Sequence, residues 1–179
     1  MKYCSNCGSS NLKFVIPEGD HLKRYCCSDC GHIFYTNPNM VVGALCVRNE
    51  KILMAKRNIH PRKGLWTLPA GFMENAETLQ TGAARETFEE TGSKAKILQP
   101  YTMFSLPHIN QVHLFYLAEL LDENFGPTSE SSEVKLLSQE EIPWEELAFP
   151  TVERTLKHYI EDSKKKDFIF REEDITLWK

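Results

Sequence analysis

Between residues 71 and 93 the chain reads GFMENAETLQTGAARETFEETGS, with Gly71, Glu77, Arg85, Glu86, Glu89, Glu90 and Gly92 at spacings that a helix turns into one charged face. At about 3.6 residues per turn, Glu86 and Glu90 lie one turn apart with Glu89 between them, so three carboxylates share an arc of roughly 100°. Opposite them stand Ala84, Phe88 and Thr91, an apolar stripe predicted to pack on a sheet. A solvated, salt-bridged helix would place a lysine four residues after Glu86. Glu90 stands there instead, a like-charge pair that costs about 0.2–0.5 kcal/mol unless something positive neutralises it. A hard divalent cation is the natural neutraliser, because Mg2+ is commonly held by a few carboxylates with positions left for phosphates and water.

The other spaced residues each have a local role. Gly71 follows Leu68-Pro69-Ala70, where a residue without Cβ lets the backbone turn or approach a ligand closely. Glu77 is expected to open the helix, its carboxylate facing the positive end of the helix dipole, and Gly92 to cap the other end.

These seven residues match the Nudix box, and about residues 40 to 160 resemble Nudix hydrolases. Seven matches at set spacing arise by chance in fewer than about one in a million chains of this length, so the pattern is specific for the family. The resemblance implies an α/β/α sandwich around a mixed sheet and Mg2+-dependent (or Mn2+-dependent) hydrolysis of a diphosphate linkage. It also implies that Glu86, Glu89 and Glu90 supply metal ligands and that Arg85 orients them by ion pairing. Thr87 and Ser93 depart from the pattern at places normally held by bulky aliphatics, which bears on packing more than on chemistry. Many Nudix enzymes take their general base from the box or from a later loop. In PTSESSEVKLL the loop candidates are Glu130 and Glu133, and Glu133 is preferred because it immediately precedes an apparent strand; Glu89 or Glu133 is therefore expected to activate water.

A second pattern occupies the start of the chain, where Cys4-Ser5-Asn6-Cys7-Gly8 and Cys27-Ser28-Asp29-Cys30-Gly31 form two CxxCG knuckles. Four thiolates so spaced suit one closed, structural tetrahedral Zn2+. A pair of disulfides is the competing reading, and the lack of a secretion signal favours the metal. Cys26 could replace Cys27, but only Cys27 completes a second CxxC; Cys46, in an apolar run, reads as a small core residue. No stretch approaches the roughly 20 apolar residues of a membrane span, no apolar leader precedes Cys4, and a reducing cytoplasm is expected. The formal net charge of -4 does not suggest bulk nucleic-acid binding, and Lys2, Lys13, Lys23 and Arg24 barely outnumber Glu18, Asp20 and Asp29 in the knuckle segment. Nucleic acid is thus not expected as a partner.

We divide the chain into a zinc ribbon over 1–36, a Nudix domain over 37–165 and a C-terminal tail over 166–179, with the turn Tyr35-Thr36-Asn37-Pro38-Asn39 between the first two. Met40 to Val47 and Ile52 to Arg57 read as a hairpin turned by Asn49-Glu50. Segments 95–104 and 111–120 read as strands, Lys135 to Leu137 as a short one, and Thr151 to Lys164 as an amphipathic helix with Val152, Leu156, Tyr159 and Ile160 on one face.

Ribbon plus Nudix domain looks like the arrangement of NADH pyrophosphatases, but their SQPWPF-type signature is replaced here by FSLPHINQV. The runs NPNMVVGALCV, KRNIHPRKGLWTLPAGFMENAETL and LAFPTV resemble the zinc-ribbon Nudix hydrolases that include the plant FAD and ADP-ribose pyrophosphatase. That resemblance implies release of AMP from FAD or ADP-ribose, and a homodimer. An RNA-end hydrolase and a non-catalytic nucleotide sensor are the alternatives. For the substrate, Arg57, Arg62 and Lys63 could meet phosphate or ribose, and Gly71 could let the backbone approach the ligand closely. Trp66 and Phe72 read as core, leaving Phe104 and His108, beside an expected loop, to stack on a base.

Overall fold

The computed structural model of the chain describes residues 1–176 and divides them into two compact units, Met1–Asn37 and a second that begins at Pro38. The first is a three-stranded antiparallel sheet of β1 (Leu12–Val15), β2 (Arg24–Cys27) and β3 (Ile33–Phe34). Its strands are too short to bury a core, and Phe14, Val15, Ile16 and Tyr25 stay exposed. Order comes from the knuckles. Gly8 and Gly31 take left-handed backbone angles (φ 77° and 72°), and their N–H groups donate to the Cys4 and Cys27 carbonyls at 2.8 and 2.9 Å. The two CxxCG sequences thereby fold as matching tight turns, as the glycines predict.

The second unit begins with the expected hairpin, β4 (Asn39–Arg48) and β5 (Lys51–Arg57). Asn49 and Glu50 both have positive φ (50° and 63°), the requirement of a two-residue turn matched to strand twist. There follow β6 (Trp66–Thr67), β7 (Ala70–Phe72), α1 (Leu79–Thr91), β8 (Ala95–Leu106), β9 (Gln111–Leu120), β10 (Ser131–Leu137), α2 (Pro150–Lys165) and β11 (Arg171–Asp174). The sheet order is β10-β5-β4-β9-β8-β11, with β6 added to β5 and β7 to β4. Because β4 pairs with β9 and β8 with β11 in parallel while the other pairs are antiparallel, the sheet is mixed.

Strand alternation sorts the core into two layers. Leu45, Phe104, Phe115 and Leu117 face α2 and pack with Val152, Leu156 and Tyr159. Val42, Leu114 and Tyr116 face the other way and pack with Ala83 of α1, beside Ala44, Cys46 and Leu53. This is the α/β/α sandwich that the resemblance implies.

The segment read as a tail belongs to the sheet. Arg171 of β11 makes a two-pronged ion pair with buried Asp162 of α2, at 2.6 and 2.7 Å, while Glu173 is bound by Arg154 (2.7 Å) and His158 (2.5 Å) and Ile175 is buried. Residues 177–179, the end of that predicted tail, lie outside the described residues. Among the described residues no helix is long and apolar enough to cross a membrane.

Candidate active site

The site is built on β7, whose one strand partner among the described residues is β4. Two backbone groups on its free side are taken by α1: the Ala70 N–H donates to Glu90 Oε2 at 3.0 Å, and the Phe72 carbonyl accepts from Arg85 Nη2 at 3.1 Å. Between them sits Gly71, where an added Cβ would collide with the Glu86 carboxylate. Gly71 is not among the positive-φ residues, so what requires glycine there is the closeness of Glu86, not a turn.

Helix α1 starts at Leu79, capped by Thr78, whose side-chain oxygen accepts the Thr81 N–H at 3.2 Å. Glu77 therefore lies outside the helix, contrary to the expectation that it opens it. Its carboxylate grips Arg85 Nε and Nη2 at 3.0 and 2.8 Å and accepts the Glu74 N–H at 2.6 Å. Arg85 Nη1 in turn donates to Glu86 Oε1 at 2.7 Å and Glu89 Oε2 at 3.0 Å. A planar guanidinium suits this fork, which locks three carboxylates to one strand. Gly92 ends the helix with φ 77° and an N–H bond to the Phe88 carbonyl at 2.7 Å, as predicted.

The buried side of α1 shares only Thr91 with the predicted apolar stripe. It comprises Gly82, Ala83, Glu86, Thr87, Glu90 and Thr91, while Phe88 is 52% exposed. Glu90 is held on the buried side by the Ala70 N–H, and Glu86 lies against Gly71. Thr87 and Thr91 tolerate burial by donating their hydroxyls to the Ala83 and Thr87 carbonyls at 2.8 and 2.6 Å, and the Ser93 hydroxyl reaches Asp122. Small polar residues at places expected to be aliphatic thus let the helix lie close to the sheet.

Charge in the site is unbalanced. Burial raises Glu86, and it pushes Glu90 up to about 8 despite the Ala70 hydrogen bond. The Arg85 hydrogen bonds hold Glu77 down at about 2. Glu89 is exposed. Arg57 and Glu130 both act electrostatically on Glu90, and Glu130 also acts on Glu86. Arg85 binds Glu77, Glu86 and Glu89, and with Glu90 and Glu130 added the carboxylates, once ionised, outnumber the guanidinium groups of Arg85 and Arg57; hard oxygen donors in such excess suit divalent Mg2+ or Mn2+.

Other predicted site residues divide. Arg57 is buried at 9% exposure, its guanidinium 5.2 Å from the centre of the Phe149 ring and its Nε donating to the Pro61 carbonyl at 2.9 Å. Glu133 follows a β-bulge and turns to Lys135 and Lys56, which hold its carboxyl below the usual range. Of the two loop carboxylates, Glu130 acts electrostatically on Glu86 and Glu90, while Glu133 is engaged by Lys135. Phe104 is fully buried beneath α2 and cannot stack on a ligand, because β8 runs on through Leu106 and its register turns that ring inward. Phe72, read as core, is 56% exposed. His108 is exposed in a turn spanning Pro107–Ile109.

In the first unit, the sulfurs of Cys4, Cys7, Cys27 and Cys30 all lie within 4.8 Å of one another. Cys4 to Cys30 is 3.7 Å and Cys7 to Cys27 is 3.6 Å. Disulfide sulfurs stand about 2.05 Å apart, whereas sulfurs placed about 2.3 Å from one tetrahedral zinc stand about 3.8 Å apart. The cluster therefore fits Zn2+ and not a disulfide pair. Cys26 is excluded from it, its sulfur lying 3.7 Å from the Arg24 carbonyl.

Comparison with known proteins agrees with this geometry. Residues 37–160 match the NUDIX domain family, and residues 2–36 match the family described as Nudix N-terminal, a zinc ribbon. A crystal structure of a NUDIX hydrolase from Nitrosomonas europaea is 46% identical, with a TM-score of 0.96 over 99% of this chain and 100% of that one. The ADP-ribose pyrophosphatase of Methanocaldococcus jannaschii is 27% identical over 159 residues, 86% of each protein. The NAD-capped RNA hydrolase NudC of Chromobacterium violaceum is 32% identical over 118 residues, 66% of this chain. That match spans only 42% of the length of the NudC protein. With its carboxylate helix, sandwich fold and thiolate cluster in place, this chain belongs to the Nudix family of hydrolases.

Proposed function

We propose that the chain is a Mg2+- or Mn2+-dependent pyrophosphatase that cleaves the diphosphate bond of a nucleoside diphosphate derivative, such as ADP-ribose or FAD, and releases AMP. The observation that carries this reading is the burial of Glu86 and Glu90 side by side at the free edge of β7, with too little positive charge to balance them. Glu86, Glu89 and Glu90 would hold the cation. When bound, it supplies charge neutralisation for the diphosphate oxygens and acidity to water.

The chain's own groups do the positioning. Arg85 aims Glu86 and Glu89 through its two-sided fork, with Glu77 fixing the guanidinium from behind. Gly71 keeps the space for the Glu86 carboxylate open. Glu130 or Glu89 takes the proton of the attacking water, which adds to one phosphorus as the bridging oxygen leaves with the other phosphate. Arg57, anchored by Phe149 and Pro61, sets a fixed positive charge near Glu90 and on the approach of an anionic substrate.

ADP-ribose is favoured by the Methanocaldococcus jannaschii relative, because that likeness runs along most of both proteins. A second reading, hydrolysis of an NAD-capped RNA end, draws on the NudC relatives and makes nucleic acid a candidate partner, against the expectation from charge. Incubation with ADP-ribose, FAD, NADH and NAD-capped RNA under Mg2+, followed by chromatography, separates them. Fast AMP release from ADP-ribose or FAD supports the first reading. Fast decapping with little dinucleotide cleavage replaces it with the second, and tight ADP-ribose binding without turnover on any substrate replaces both with a sensor. We also propose a homodimer, to be tested by sedimentation equilibrium.

A further inference from the structure

We propose that Thr128 is a positioning residue, whose hydroxyl pins the loop carrying Glu130 to the last turn of α1 and so holds Glu130 in one place relative to the carboxylate helix. This deepens the pyrophosphatase reading and rests on it for the part that Glu130 plays in turnover.

An α-helix ends with carbonyls that no later turn of its own satisfies. In α1 the Phe88 carbonyl is met by the Gly92 N–H, and two others are met from the stretch of chain that leads into β10. There the Gly126 N–H donates to the Thr91 carbonyl at 3.0 Å, and the Thr128 hydroxyl donates to the Glu90 carbonyl at 3.4 Å. The loop is thereby fastened to the helical turn that carries Glu89 and Glu90.

A hydroxyl offers one donor and two acceptor lone pairs, and Thr128 uses all of them. Besides donating to Glu90, its Oγ1 accepts the N–H groups of Glu130 and Ser131, each at 3.2 Å. The Thr128 N–H closes the turn on the Ser131 carbonyl at 2.9 Å. From the other side Asn58, which follows Arg57 at the end of β5, donates its N–H to the Glu130 carbonyl at 2.7 Å and its Nδ2 to the Ser129 carbonyl at 3.2 Å. Both peptide groups of Glu130 are therefore fixed, one from the helix and one from the sheet.

The Glu130 side chain is treated differently. It is exposed, and among the described residues no hydrogen bond or ion pair engages its carboxylate, whereas Glu133 is engaged by Lys135. Its charge nevertheless acts on Glu86 and Glu90. A threonine that served only its own turn would bond the local N–H groups and leave its proton to water; here the proton goes to the helix. Main chain held from two sides and a carboxylate left unclaimed suit a group that meets water or substrate, since a misplacement of about 1 Å costs about a hundredfold in rate.

The test combines amide hydrogen exchange with turnover of ADP-ribose under Mg2+ in wild type, Thr128→Val, Thr128→Ser, Glu130→Gln and the double variant Thr128→Val with Glu130→Gln. Valine keeps the shape and removes the hydroxyl, and serine keeps the hydroxyl. In Thr128→Val the Glu130 and Ser131 amides should exchange roughly three- to tenfold faster, as the loss of one hydrogen bond predicts, and Thr128→Ser should restore them. The kcat of Thr128→Val should fall roughly ten- to a hundredfold with KM little changed, recover in Thr128→Ser, and fall hardly further when Glu130→Gln is already present. Circular dichroism melts report folding. Asn58→Ala loosens the same loop from the β5 side and takes the place of Thr128→Val if that variant does not fold. Unchanged amide exchange overturns the proposal. So does an equal loss of kcat with and without Glu130, which would mean that Thr128 serves α1 through the Glu90 carbonyl alone. A Glu130→Gln protein as active as wild type sinks the proton-accepting role of Glu130, and a wild type that releases no AMP sinks the pyrophosphatase reading; in both cases the hold of Thr128 on the loop is decided by amide exchange.

Discussion

The carboxylate of Glu86 occupies the space that any side chain at residue 71 would need. Gly71→Ala therefore forces one of them to move, and Glu86 is the end of a flexible side chain whereas Gly71 is backbone. We expect Glu86 to swing off Arg85 at a modest cost to the fold, about 1 kcal/mol in urea unfolding. Turnover should fall about a hundredfold, since misplacing a reacting or metal-holding group by about 1 Å has that effect. An equal fall in stability and activity would mean that the substitution acts by unfolding.

Glu90 gives a pH signature in the metal-free protein. Its pKa is raised in the folded state to about 8, so between its ordinary value and 8 the native state binds a proton that the unfolded state releases. Stability is then highest at low pH within this window and declines as pH rises toward 8. Thermal melts should show this decline without metal, relief on addition of Mg2+, and a flatter profile in Glu90→Gln. The same variant should be more stable than wild type at pH 8 yet inactive with ADP-ribose. A steeper decline in the variant would contradict the assignment.

The loop carboxylates can be told apart by substitution. Glu130→Gln should lower kcat by about 10²–10³-fold if it takes the proton from water, while Glu133→Gln, which loses only partners at Lys135 and Lys56, should stay within about twofold of wild type. Were neither variant slowed, Glu89 would remain as the base.

For the thiolate cluster, elemental analysis should find one equivalent of zinc in wild type and in Cys26→Ser, and much less in Cys27→Ser. Hydrogen exchange after chelation should accelerate in β1, β2 and β3, whose strands bury little apolar surface of their own. Full zinc retention in Cys27→Ser would refute the ligand set.

What the chain discloses without coordinates follows from what each residue obeys. The β4–β5 hairpin and α2 were legible because Asn49-Glu50 and the Val152, Leu156, Tyr159 face obey local turn and helix rules. The orientation of α1 was not, because an amphipathic pattern assumes that apolar atoms go inside, and this helix buries two glutamates against a glycine-bearing strand while exposing Phe88. Glu77 looked like a helix opener because its partner, Arg85, is eight residues away and only the folded chain joins them. Phe72 and Phe104 exchanged their expected places because strand parity decides which way a ring points, and the lengths of β7 and β8 were not evident. The strand Arg171–Asp174 has no apolar alternation to reveal it. It is held by Asp162, His158 and Arg154, partners that lie in another element.

An unpaired strand edge is a template on which a foreign strand can assemble. In β7 that template is blocked by Glu90 and Arg85, the same side chains assigned to the chemistry. Selection for activity and selection against aggregation thus press on the same two positions, and a variant that empties both, such as Arg85→Ala with Glu90→Ala, uncovers a docking rail as it loses its catalyst.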